Sequence, residues 1–189
     1  MTNLNILKSK INSIVLNESK ILLGEGITCY ENKLYMASLG ILVTFLEKYL
    51  RDVLIFQEYD INPNNEDGLS KYDKIEQKIE EDKKKFTFQG ICDKLVTYDL
   101  LDEELSGTLK SLYQNLRIPV HHGIYKRLIN HTNGNFKDSG TKIELSEDKI
   151  ICTNIEMEQS NVIVRHHILP ELFKYYCDEM INILIKIIK

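Results

Sequence analysis

Arg117 and His122 carry the chemistry that this chain offers most plainly, within the stretch NLRIPVHHGIYKRL at 115–128. An arginine does not lose its charge and can hold two phosphate oxygens in one fork. A histidine titrates near neutrality and can take or give a proton. One group that removes a ribose 2′-OH proton, beside a cation that stabilises the added charge on phosphorus, is the minimum set for cutting RNA without a metal. Such a cut leaves a 2′,3′-cyclic phosphate. Pro119 lies between the two residues and suits the first turn of a helix running to about Asn130. Arg117 then stands just before that helix and His122 in its first turns. Unpaired N–H groups and the positive end of the helix dipole face the same space.

Spacing alone decides little, because such a pair arises by chance in roughly one comparable chain in ten. The surroundings decide more. From Leu105 to Lys137 there is no Asp or Glu, while Lys110, Arg117, Lys126, Arg127 and Lys137 are all basic. The chain as a whole has a net charge of −4. That balance argues against a surface coated in basic residues and for one place where an anion is gathered. Tyr125 is placed to stack on a base, with Lys126, Arg127 and Lys110 on flanking phosphates. A tyrosine at an interface rim is the alternative. His121 reads first as a partly buried helix histidine and second as an auxiliary polar group.

These residues need elements to position them. Leu4, Leu7, Ile11, Ile14 and Val15 have the three-four spacing of a helix over 4–16. Asn17 to Ser19 break it, and a long helix is expected from about Lys20 to Glu58. Its apolar positions are too many for one stripe, so it packs on more than one side. DINPNNEDG at 60–68 is a loop. Tyr72, Ile75 and Ile79 draw a thin apolar line through a charged helix over 69–85. Thr87 to Tyr98 is a short helix, and Asp102 caps another with Leu105, Leu109, Leu112 and Leu116 on one face. Residues 141–164 alternate better than they wind, which predicts two or three short strands around a Ser146–Asp148 turn. Pro170 opens a last helix with Phe173, Tyr176, Met180 and Leu184 inward.

The hydrophobic fraction is 43% and the charged fraction 28%, with 3 Pro and 9 Gly, a globular and helix-rich composition. At 189 residues one domain is expected over 1–189, with helices about 4–130 and 169–189. The longest near-apolar run, Leu39 to Phe45, is far short of a membrane span, and MTNLNILKSK lacks the zones of a signal peptide. A soluble, cytoplasmic protein is expected. Cys29, Cys92, Cys152 and Cys177 form no CxxC pair and read as isolated thiols. His166–His167 lack a carboxylate or thiol at ligand spacing, so no metal is expected. Gly24-x-Gly26 lacks the strand and the Lys-Ser/Thr ending of a phosphate loop.

LYQNLRIPVHHG resembles the signature of HEPN domains, in which an Arg-x4–6-His motif opens a late helix, often with glycine after the histidine. ITCYENKLYMASLGILVTFLEKYLRDVL resembles their long second helix, with Glu47 and Leu50–Arg51 near its end. FTFQGICDKLVTYDLLDEEL resembles the segment leading into the motif helix. The resemblance covers roughly residues 4–130. It implies a mainly α, antiparallel helical bundle, here with a small β-hairpin or meander before the C-terminal helix. It also implies a homodimer whose two Arg-x4-His motifs face each other across a cleft. Carried over, Arg117 and His122 are the catalytic pair and Glu47 is at most a helper, since an acid on the long helix sometimes faces the site; a salt-bridge partner is its plainer reading. The implied activity is metal-independent RNA cleavage without a cofactor, in a toxin or antiviral-defence effector with an antitoxin or other defence protein as partner. The alternative is a non-catalytic HEPN module that binds RNA or a protein. Ile118 is the departure that keeps this alternative open, since catalytic members often have a polar residue directly after the arginine.

Overall fold

Thr2, Thr87 and Asp102 each begin a helix by turning a side-chain oxygen onto the backbone N–H three residues on, the bond that satisfies an orphan donor of the first turn. The computed structural model describes residues 2–81, 86–113, 144–146, 149–151 and 169–188. The helices are α1 (Asn3–Lys10), α2 (Asn17–Glu31), α3 (Tyr35–Glu58), α4 (Glu66–Glu81), α5 (Phe88–Thr97), α6 (Glu103–Leu112) and α7 (Leu169–Ile187), with a 3₁₀ turn at Ile11–Ser13. The described chain is mainly helical. Two three-residue strands, β1 (Glu144–Ser146) and β2 (Lys149–Ile151), pair antiparallel with Leu145 opposite Ile150. The rest of the expected 141–164 strand region lies outside the described residues.

Two expectations need correction. The helix over 4–16 ends at Lys10 and tightens into the 3₁₀ turn, after which the chain extends at Ile14. The long helix expected from 20 to 58 is two helices, α2 and α3. Lys33 is the reason. It takes a left-handed backbone (φ 60°), its N–H bonds to the Tyr30 carbonyl, and the Leu34 N–H reaches back to Cys29. That pair of bonds is the Schellman stop. Asp60 (φ 48°) ends α3 and Asp99 (φ 56°) ends α5 in the same way, with Ile61 bonded to Phe56 and Leu100 to Leu95.

With the chain reversed at Lys33, α2 lies against α3. Their approach is close: a Cβ on Gly26 would stand 2.7 Å from Leu42 Cδ2. The buried Ser38 hydroxyl donates to the Gly26 carbonyl at 2.8 Å and ties the two helices at that point. α3 is the central element and also packs on α7, α5 and α4. The main core gathers Leu7 of α1, Leu23 and Ile27 of α2, Leu39, Phe45 and Leu46 of α3, Ile91 and Leu95 of α5, Leu109 of α6 and Met180 and Leu184 of α7. A second, smaller core holds α4: Ile55, Ile61, Tyr72 and Ile79, with Phe86 half-buried against both. Among the described residues no helix is long and apolar enough to cross a membrane.

Candidate functional site

The chain approaches its Arg-x4-His motif along α6. Asp102 caps that helix, accepting from the Leu105 N–H at 2.6 Å. Leu109 is buried and Leu105 and Leu112 are packed against the core, three of the four leucines expected on its inner face. At its C-terminal end Tyr113 lies flat on Phe88 of α5, with ring centroids 4.1 Å apart and planes 5° from parallel. The Tyr113 backbone is still helical, its N–H bonded back to Leu109 and Lys110. Two features therefore fix the C-terminal end of α6: the leucine face and the stacked ring. Leu116, Arg117, His121, His122, Tyr125, Lys126 and Arg127 lie outside the described residues.

Two of the expected site residues are described. Lys110 does not stand free: its Nζ is 2.5 Å from Asp93 Oδ1 of α5, in a pair open to solvent. Such a pair is worth little and yields readily to a stronger anion. Glu47 is half-buried on α3. It shares a stripe with Gly40, Thr44 and Arg51, at spacings of four, three and four along the helix. Lys110 is on α6 and Glu47 on α3, and α5 packs against both helices.

A cluster that the sequence did not announce joins α2, α3 and α4. Asp52 is only 3% exposed. Its carboxylate accepts from the Ser19 hydroxyl at 2.9 Å and the Tyr72 hydroxyl at 2.6 Å, and Lys48 Nζ is 3.5 Å away. The Tyr72 oxygen is also 2.9 Å from Glu76 Oε1, so its one proton serves one carboxylate at a time. Lys48 bridges the group, 3.1 Å from Glu76 and 3.5 Å from Glu18. Burial pushes the Asp52 carboxyl up, outweighing the Lys48 charge and the Tyr72 and Ser19 bonds that pull it down. Burial is the largest influence on Lys48 and pulls it down, but Asp52, Glu76 and Glu18 together more than offset it, and the net direction is up. Burial and then Asp52 hold the Tyr72 phenol well above its usual range. Ser19, Asp52 and Tyr72 are buried and bonded to one another, so the cluster acts as an anchor for α4 rather than as a reaction centre. Its signal in the sequence is a pair of i, i+4 couples, Lys48–Asp52 and Tyr72–Glu76, each of which alone reads as a solvated helix face.

A cleft of about 590 Å³ opens at the other end of the bundle, lined by Thr2, Asn3, Leu4, Tyr30, Asp178, Ile181 and Asn182. Its polar groups are largely spent on one another. The Tyr30 hydroxyl donates to Asp178, Lys174 pairs with Asp178 at 2.9 Å, and the Asn3 amide donates to Asn182 at 2.7 Å. Cys92 and Cys177 are buried, and burial pushes both thiols up to about 11, so neither is a ready nucleophile. Among the described residues no group of three His, Cys, Asp or Glu side chains could hold a metal ion. Comparison with protein families, with curated proteins and with solved structures finds no match to this chain.

Proposed function

We propose that the chain is a metal-independent endoribonuclease of HEPN type. It acts as a homodimer and serves as a toxin or antiviral-defence effector in the cytoplasm. The observation that carries this reading is Arg117-x4-His122 inside a window without acids from Leu105 to Lys137. The helical architecture supports it, as does α6, most of which lies in that window with its register set by Leu109 and Tyr113. In this reading His122 moves the 2′-OH proton, Arg117 stabilises the charge on phosphorus, and Glu47 and His121 assist. Tyr125, Lys126, Arg127 and Lys110 hold flanking nucleotides, Lys110 by exchanging Asp93 for a phosphate. An antitoxin or another defence protein is the expected protein partner.

The test is incubation of the purified protein with total RNA in EDTA. Cleavage is expected from wild type and is expected to vanish in His122→Ala and Arg117→Ala with the far-UV spectrum unchanged. Cleavage that persists in His122→Ala refutes the assignment. Ile118 favours one second reading, a HEPN module that binds RNA or a partner without cutting. Growth arrest on expression that Arg117→Ala abolishes counts against that alternative.

A further inference from the structure

Arg51 has an unusual position among the charged residues of α3. It is half-buried, and its Nε is sealed from solvent without an acceptor. Among the described residues it makes no ion pair and no side-chain hydrogen bond. Two acidic neighbours, Asp52 and Glu58, are committed elsewhere. Asp52 serves Ser19, Tyr72 and Lys48, while Glu58 holds Lys94 at 2.7 Å. Glu47, four residues before it, has a partner of its own. A buried lysine relieves such a situation by giving up its proton, but a guanidinium does not. The guanidinium therefore keeps its charge, with no ion pair among the described residues.

The surroundings say what would answer it. Of the three guanidinium nitrogens only Nε is sealed without an acceptor, which leaves the two terminal nitrogens to meet an incoming group. They are a planar pair of donors suited to two oxygens of one tetrahedral anion. Thr44 and Gly40 continue the same stripe towards the N-terminal half of α3, Thr44 exposed and Gly40 half-buried. Side chains this small let an extended backbone lie close to the helix. Lys48 and Lys94 are paired with acids, so of these three described cations Arg51 is the uncommitted one.

We infer that Arg51 binds a backbone phosphate of the RNA substrate through its terminal nitrogens, holding the strand against α3. The inference rests on the ribonuclease reading and deepens it. Arg51 is a binding residue that takes no part in proton transfer, so its loss raises KM and leaves kcat unchanged.

The experiment uses the full chain carrying His122→Ala and a short fluorescent single-stranded RNA, with affinity read by anisotropy over a series of salt concentrations. Arg51→Met is expected to weaken binding roughly tenfold, the value of one charge-assisted contact. It is also expected to flatten the dependence of log affinity on log salt by about 0.7, the release of one counterion. Arg51→Lys restores the slope but not the full affinity. Arg51→Gln replaces Arg51→Met if the methionine variant does not fold by circular dichroism. Unchanged affinity and slope in the folded neutral variant overturn the inference. Wild-type cleavage together with an unaltered KM in Arg51→Met removes Arg51 alone and leaves Arg117 and His122 standing. A wild type that neither binds nor cleaves RNA removes both.

Discussion

Tyr72→Phe isolates the anchor of α4 with little else changed. Tyr72 is 2% exposed, and its ring lies 5.3 Å from that of Phe56, within the small core of Ile55, Ile61 and Ile79. Phenylalanine keeps that ring, so the apolar contribution is nearly constant. What disappears is the hydroxyl 2.6 Å from Asp52 and 2.9 Å from Glu76. Asp52 would keep Ser19, but Lys48 at 3.5 Å is too distant for a strong replacement bond. A hydrogen bond to a charged group contributes roughly 1.5–3 kcal/mol, so a loss of about 2 kcal/mol is expected. The sign with pH follows from the carboxylate. The Tyr72 bond pulls the folded pKa of Asp52 down against its burial. Its contribution is therefore full where Asp52 is charged, and it fades as pH falls and the carboxyl protonates. Urea unfolding followed by far-UV circular dichroism measures both parts, near pH 8 and again near pH 4.5. The loss should be larger at the higher pH. A change under about 0.5 kcal/mol at the higher pH, or an equal loss at both, would refute the anchor.

Two further outcomes follow from the same packing. Gly26→Ala drives a Cβ to 2.7 Å from Leu42 Cδ2 and 3.0 Å from Leu42 Cγ, so a destabilisation of about 1–3 kcal/mol is expected in urea unfolding, and a neutral result would mean that Leu42 gives way without cost. In alkali, the phenols of Tyr30 and Tyr72 are both held above their ordinary value, by burial first and then by Asp178 and Asp52 respectively. A folded pKa above the unfolded one gives stability that is full below about pH 10 and is lost as pH rises through the folded value. Phenolate absorbance should then show these two of the ten tyrosines ionising only as the chain unfolds. Reversible titration of all ten in one step near pH 10, with helicity intact, would contradict this.

How much of this was legible depends on where the information sits. The Asp102 cap and the leucine face of α6 are local, and both were readable from the sequence, as was the Tyr72–Ile79 line that buries α4. The break between α2 and α3 is local too, yet the residue pattern hides it, because a Schellman stop is expected at glycine and here falls on Lys33. Asp60 and Asp99 stop helices without glycine as well, where loop composition or a change of pattern gave the ends away. The motif residues Arg117 and His122 were legible as a pair of types at a spacing, but a shared site for them would be a matter of tertiary placement, and they lie outside the described residues. Asp52 shows the same limit from the other side. A period count assigns a charged residue beside Lys48 to solvent, because it weighs each side chain alone. Ser19 and Asp52 are both buried because each supplies the other's bond across 33 residues of chain, and Tyr72 closes the group from a third helix. A buried polar group can persist only if its partners arrive with it. The information that buries Asp52 is therefore a property of the three helices together and is absent from the pattern of any one of them.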